Sequence, residues 1–405
     1  MILEDPRISM DADLVVVGNG VIGLSTALAC GHRHPDLRII VIGPSRRPGA
    51  ASPAAAAMLA AASEARPSTF DDPGTTRWLE LVCEAVRRWP EWLEELAERS
   101  RIPSSRVPGI ARGIAVVGDE HDPGFDAIER ASTRFGSPIR EMDAGEIGLL
   151  KHGLPRRCLM IEDEGGIDPL QLLRFLEQAL DAVDVGRSDA RVDRVEPGRV
   201  LLESGGEVRS DRILLAAGSD CRRLLDSGST AHESIPRIGY GHGVGLRGRS
   251  PSGIRVPGHA IRTPNRDDGS NLYLVPHGDD CFYMGATTAL EDRPRLAPLP
   301  REIAAIREAA TRFLASELLD GTLNAVIGSR PVSEDGLPVL GQLGDGLWIA
   351  TGTDRDGLSA APELSRCLAD GLSERTDSIP SCFKPSRKRS GFTSAGLARE
   401  RLEVC

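Results

Sequence analysis

The chain has 405 residues, enough for two domains with a large buried core. A formal net charge of −10 and a hydrophobic share of 40% exclude a uniformly basic nucleic-acid binder and fit an ordinary soluble globular protein. No apolar run approaches the roughly 20 residues of a membrane span, and the opening MILEDPRISMDADL lacks the apolar core of a signal peptide, so a cytoplasmic protein is expected.

The first predicted strand, Leu14–Val17, runs into Gly18, Gly20 and Gly23 and then into the helix-prone residues 24–29. In such a turn the first glycine reverses the chain, the second lets backbone approach a pyrophosphate, and the third lets helix pack on strand. Val21 and Ile22 belong to the same turn, and the helix N-terminus faces the phosphates. The second strand, 38–42, would ordinarily end on an Asp or Glu for the ribose hydroxyl. Here the chain reads Gly43, Pro44, Ser45, Arg46 and Arg47. Taken alone, Ser45 and the arginines read as a 2′-phosphate site, which leaves NADP and FAD both open at this point.

The alanine-rich stretch 48–65 reads as a small-residue helix or as backbone built to approach something flat. A helix is predicted over 72–99, with Leu79, Val82, Val86, Trp89 and Leu93 on one face and Pro90 expected to kink or break it. Strands follow at 114–117 and 158–161. Asp168 is a candidate N-cap with Pro169 at the first helical position. Short strands at 191–195 and 199–202 precede a fully apolar one at 213–217, which ends on Gly218 as a buried parallel strand does. From 235 to 285 the glycine-rich, alternating texture predicts an antiparallel sheet. A helix at 301–314 leads back to strand, turn and helix signals after 327. The tail from 377 is polar and basic and reads as mobile. Eight cysteines stand singly with no CxxC pair for zinc or dithiol exchange, so inert free thiols are expected and no metal site is assigned. Lys151, Lys384 and Lys388 are the only lysines.

Five segments, in this order, resemble the D-amino-acid oxidase superfamily of FAD enzymes, in particular its glycine-oxidase and sarcosine-oxidase-like branch. They are the glycine fingerprint, SPAAAAML (52–59), LLAAGSD (214–220), NLYLVPHGDDCFYMGATT (271–288), and SRPVSEDGLPVLG with ATGTDRDGLSAAP after it. The resemblance implies an α/β, two-domain fold. A Rossmann-like FAD-binding domain of the glutathione-reductase type would comprise 1–88, 160–230 and 325–376, and an antiparallel-sheet substrate domain 89–159 and 231–324, with 377–405 as a tail. It also implies non-covalent FAD, contacted by Gly18, Gly20, Val21, Ile22 and Gly23 at the phosphates and by Ser52, Ala55, Ala56, Ala57 and Met58 along the ring. Val192 would meet the adenine, Ala217 and Gly218 would also contact the cofactor, and Gly352, Asp356, Gly357 and Leu358 would lie at the pyrimidine edge. Without a carboxylate at Gly43, the ribose falls to backbone, Ser45 or water, with Arg46 or Arg47 near the adenine or pyrophosphate, and Gly43→Glu is expected to tighten FAD.

For substrate, the resemblance implies that Arg330 pairs with a carboxylate, that Tyr273 faces the same group, and that Arg355 stands nearby. The expected reaction is oxidation of a small amino acid or amine by hydride transfer from the α-carbon, with oxygen reduced to peroxide. The alternative is a dehydrogenase using another acceptor, because no lysine falls where the sarcosine-oxidase branch carries one. An NADP-dependent reductase and a non-enzymatic flavin-fold subunit stand behind these. A small-molecule substrate, no nucleic-acid partner and a homo-oligomer left open complete the expectation.

Overall fold

In the computed structural model, which describes residues 10–151, 156–265, 271–374 and 378–387, the strand Leu14–Val17 lies at the middle of a six-stranded sheet. The order is Val339–Gly344, Leu347–Thr351, Ile213–Leu215, Leu14–Val17, Ile39–Ile42, Gly186–Ser188. Every pairing is parallel except the Val339–Gly344 and Leu347–Thr351 hairpin. The central strands are buried on both faces, which is why they read as unbroken apolar runs. Helices Val21–Arg33, Pro169–Ala182 and Ala361–Ala369 bury their apolar residues with one face. The other face shares a core with a small four-stranded sheet through Val192, Val195, Val200 and Val208.

A ten-stranded sheet makes up the second layer. It is antiparallel, as expected, apart from one parallel pair between Ala260–Arg262 and Ile110–Gly118. Strand Ile238–Arg249 pairs residue for residue with Thr322–Ser333. Residues 325–333, grouped above with the cofactor domain, therefore sit in the ten-stranded sheet, and so does the strand Arg157–Ile167 that spans the 159/160 division.

The helix-start signal holds. Asp168 caps Pro169–Ala182, accepting from the Leu170 amide at 2.8 Å. Three expectations change. Helix Pro73–Arg99 runs unbroken through Pro90. The proline gives up a ladder bond, but Trp89, Trp92 and Leu93 beside it are buried and hold the axis. The alanine-rich stretch holds one helical turn, Ala51–Ala54, then non-helical chain, the short strand Met58–Leu59 and a 3-10 turn at Ala62–Glu64. The start of the supposedly mobile tail is docked: Phe383 is fully buried edge-on to Trp78, and Arg387 pairs with Asp335 at 2.8 Å. Lys388 and the rest of the tail lie outside the described residues. No helix among the described residues is long and apolar enough to cross a membrane.

Candidate active site

A continuous cavity of about 320 Å³ runs from the fingerprint turn to the ten-stranded sheet. Its first wall is the turn at Gly18, Gly20, Val21 and Ile22. Gly18 has φ +114°, and a Cβ there would fall 2.6 Å from the Ala216 carbonyl carbon and 2.9 Å from the Ala217 amide nitrogen. Gly23 stands behind the wall, where a Cβ would press on Gly18, so it serves the helix–strand packing alone. Gly20 is the N-cap of Val21–Arg33, and the Val21 amide donates to Ser52 Oγ at 3.1 Å. That bond ties the turn to the alanine-rich stretch.

At the end of the second strand, the niche beside Gly43 is filled by a neighbour. Asn19 donates through Nδ2 to the carbonyls of Gly43 and Pro44, at 3.0 and 3.1 Å. A Cβ on Gly43 would stand 2.8 Å from Asn19 Cγ. The polar residues that follow are engaged within the protein. Ser45 donates to Asp189 from its amide (2.6 Å) and its hydroxyl (2.9 Å), and it lies off the cavity wall. Arg47 is on the wall but binds the Asn19 carbonyl at 2.9 Å and pairs with Glu177. Arg46 is exposed and off the wall. A 2′-phosphate site built from Ser45 and the arginine pair is therefore not assembled. A carboxylate does face this end of the cavity, from an unexpected place: Glu203, whose amide donates to the Arg191 carbonyl next to Val192.

The middle of the cavity is lined by Ser52 and Ala54–Met58. The small side chains of Ser52 and Ala54–Ala57 leave backbone as the surface, and that backbone is held from behind. His277 Nε2 lies 2.9 Å from the Ala56 carbonyl, Arg247 donates to the Pro53 carbonyl, and Ser359 Oγ donates to the Met58 carbonyl at 3.1 Å. Ala57 adopts φ +56°, a left-handed conformation that a non-glycine residue keeps only when its surroundings impose it.

Arg330, Tyr273 and Arg355 all line the cavity, with Tyr283 and Thr288, and Tyr273 is close enough to both arginines to feel their charge. Arg330 Nη1 donates to Thr288 Oγ1 at 3.0 Å. Its guanidinium lies across the neighbouring strand at Gly243, where a Cβ would stand 2.7 Å from Arg330 Cζ. Gly245, two residues on and so on the same face, makes room for the Tyr283 ring in the same way. The alternating glycines of YGHGVGLRG are thus the sequence signal of this pocket, and composition alone hid their role. The Tyr273 and Tyr283 rings stack, 6.2 Å between centroids at 14°. Burial pushes both phenols up.

Beside them lies Glu64, absent from the sequence-based candidates. Burial alone would raise its carboxyl. Attraction to Arg262 and Arg355, with hydrogen bonds from Arg262 and from Asn265 Nδ2 at 2.6 Å, holds it at about 2. Asp356 behaves in the opposite sense. Burial, then repulsion from Glu64 and Asp354, push it up to about 7, although Trp78 Nε1 donates to it at 2.8 Å.

The family model described as DAO, FAD-dependent oxidoreductase, matches residues 13–371. The chain belongs to this family. It is 26% identical over 394 residues to the bifunctional protein ThiO/ThiG of Trichormus variabilis, covering 93% of this chain and 55% of that protein. It is 26% identical over 383 residues to the glycine oxidase of Geobacillus kaustophilus, covering 90% of this chain and 93% of that protein. The chain thus spans about half the length of the bifunctional relatives it matches. The crystal structure of glycine oxidase from Geobacillus kaustophilus shares the fold with a TM-score of 0.73 at 21% identity, over 97% of this chain and 99% of that one. Iminodiacetate oxidase from Chelativorans sp. BNC1 does so with 0.76 at 20%, over 93% and 100%.

The residues present fit the FAD of the family. An elongated cavity with a glycine turn at a helix N-terminus, side-chain-free backbone in its middle and two arginines at its far end suits a dinucleotide that ends in a flat ring. Val192, Ala217, Gly218, Asp356, Gly357 and Leu358 are on the wall with the fingerprint and the alanine stretch. Gly352 is not: its φ of +74° serves a turn packed against Leu337 and Pro338. Among the described residues no cysteine or lysine lines the cavity.

Proposed function

We propose that this chain oxidises a small amino acid or amine, of the glycine, sarcosine or D-amino-acid kind, at its α-carbon, with the substrate carboxylate on Arg330 and Tyr273. The observation that carries this reading is Arg330, oriented by Thr288 and Gly243 on the wall that continues from Ala55, Ala56, Ala57 and Met58. The relatives named glycine oxidase support the same substrate class. In this reading the phosphates lie at Gly18, Gly20, Val21 and Ile22, the adenine at Val192, the ring along Ser52 and Ala55–Met58, and its pyrimidine edge at Asp356, Gly357 and Leu358. In this reading FAD is held without a covalent bond.

FAD bound there supplies the acceptor for a hydride from the α-carbon and passes the two electrons to oxygen, as peroxide, or to another acceptor. The chain's own task is placement. Arg330 offers a planar fork to a carboxylate and Tyr273 a second donor, which fixes the α-carbon in one position. Guanidiniums at this end disfavour a substrate ammonium and favour the neutral amine whose lone pair drives hydride loss. The buried Tyr283, stacked on the half-buried Tyr273, gives this end of the cavity an aromatic wall. Loss of a hydride and one proton leaves an imine, which water converts to an oxo acid and ammonia or an amine.

The purified protein is expected to be yellow, and anaerobic addition of a substrate to bleach it. Arg330→Ala is expected to cost about 2–5 kcal/mol of substrate interaction, roughly thirty-fold to several-thousand-fold in kcat/KM and expressed mainly in KM. An unchanged KM would point to an amine without a carboxylate. Peroxide yield against reduction of an artificial dye distinguishes the oxidase from the dehydrogenase; all cationic groups on the described wall are arginines, so the acceptor rests on that measurement.

A further inference from the structure

Among the described residues no carboxylate meets Arg355 at hydrogen-bond distance, as none meets Arg330, and Arg355 also lacks the hydroxyl partner that Arg330 has in Thr288. The Arg355 side chain is four-fifths buried, and the exposed part faces the cavity. Its Nε has no hydrogen-bond partner. Asp354 Oδ2 lies 3.8 Å from Nε and Glu64 Oε2 3.9 Å from Nη1, both beyond hydrogen-bonding range. Glu64 is occupied elsewhere, by Arg262 and Asn265. Arg66 lies close enough to Arg355 to repel it, while Asp354, Glu64 and Asp356 attract it from beyond hydrogen-bonding range. A buried, poorly paired guanidinium is costly and is ordinarily resolved by a partner. Arg330 is a separate anchor on the ten-stranded sheet, held by Thr288, whereas Arg355 sits in the turn after Leu347–Thr351. Tyr273 is within electrostatic reach of both.

We infer that the preferred substrate is an amino dicarboxylate, with one carboxylate on Arg330 and the second, on the side chain or on the nitrogen substituent, paired to Arg355. This inference rests on the amino-acid oxidation proposed above and narrows its substrate class. A second carboxylate brings the acceptor oxygens that Arg355 lacks, in the geometry a guanidinium fork accepts. It also matches the excess charge, since Arg66, Arg262, Arg330 and Arg355 face only Glu64, Asp354 and Asp356 as acidic groups in this region. The reaction is unchanged: the α-carbon loses a hydride and the amine a proton, and the second carboxylate is carried through to the product.

The test compares matched substrates in the FAD-loaded protein by anaerobic flavin bleaching: each alanine enantiomer against the matching aspartate, and sarcosine against iminodiacetate. At least one pair is expected to favour the dicarboxylate by thirty-fold or more in kcat/KM. Arg355→Leu is expected to bring that ratio close to one, Arg355→Lys to keep part of it, and Arg330→Leu to depress both members of the pair. Titration of the oxidised protein with succinate and with propionate, followed by the flavin spectrum, reads binding without turnover, and succinate is expected to bind at least tenfold more tightly. Equal kcat/KM within every pair, or an Arg355→Leu protein that loses both members equally, overturns the two-anchor inference while leaving amino-acid oxidation standing. Failure of every compound to bleach the flavin removes the parent reading and the inference with it.

Discussion

Single residues in this protein act mainly through what they are denied. Glu164 is fully buried, accepts from the Ala61 and Ser63 amides at 2.8 and 3.1 Å, and has no partner for Oε2. Burial is the larger effect and pushes its carboxyl up to about 7, with Asp163 adding to it. A carboxyl whose folded value is raised holds its proton more tightly folded than unfolded. Its contribution is complete below the unfolded value near 4.5 and is lost as pH climbs through about 7. Glu164→Gln keeps the acceptor oxygen and removes the titration. The Tm difference between variant and wild type is expected to move in the variant's favour from pH 5 to pH 8, by at most about 3 kcal/mol in stability. A difference independent of pH would show that Glu164 reaches water. Because Glu164 holds the 61–63 backbone next to Glu64, the same residue steadies the wall on which Arg355 sits.

Among the elements, the second strand of the parallel sheet departs most from its sequence pattern. The residues after Ile42 read as a nucleotide-recognition loop, and in the structure they are internal carpentry: Asn19 caps the strand's carbonyls, Ser45 binds Asp189 and Arg47 binds Glu177. The expectation that Gly43→Glu tightens FAD reverses. A side chain at position 43 displaces Asn19, the residue between Gly18 and Gly20, and so disturbs the turn itself. Such overpacking costs about 1–3 kcal/mol, so Gly43→Glu is expected to weaken FAD by roughly fivefold to 150-fold, measured by fluorescence quenching on reconstitution. Tighter binding would mean that Asn19 moves aside freely. The ten-stranded sheet shows the converse case, a pattern that underdescribed the element. Gly243 and Gly245 read as weak strand residues, yet their missing side chains admit Arg330 and Tyr283.

At the scale of the molecule, the cavity lies between the two large sheets and takes residues from both, Val17 and Thr351 from one and Tyr273 and Arg330 from the other. A ligand there ties the layers together. Removal of FAD is therefore expected to lower Tm, and reloading at about one hundred times Kd to restore roughly 2.7 kcal/mol, measured by calorimetry at several FAD concentrations. A Tm insensitive to FAD would mean that the cofactor site is not shared between the layers. The docked residues 378–387 extend the same coupling, with Phe383 on Trp78, whose indole also reaches Asp356 on the cavity wall.

The sequence by itself determined what local chemistry determines. The glycine turn after an apolar strand, the Asp168 cap and the buried parallel strands are legible because a φ above zero, a cap or a fully apolar run depends on near neighbours in the chain, whereas Arg330, Tyr273 and Arg355 entered as candidates through the family resemblance. What the tertiary structure decided depends on residues far apart in sequence. Asn19 fills the place beside Gly43, Glu64 meets Arg262 across 198 positions, and Glu203 arrives at the cavity from a hairpin. Phe383 turns a polar tail into a packed one, and Pro90 survives inside a helix because its neighbours are buried. Burial and pairing across such distances are properties of the assembled fold, and they set which charges are satisfied and which, like Arg355, wait for a partner.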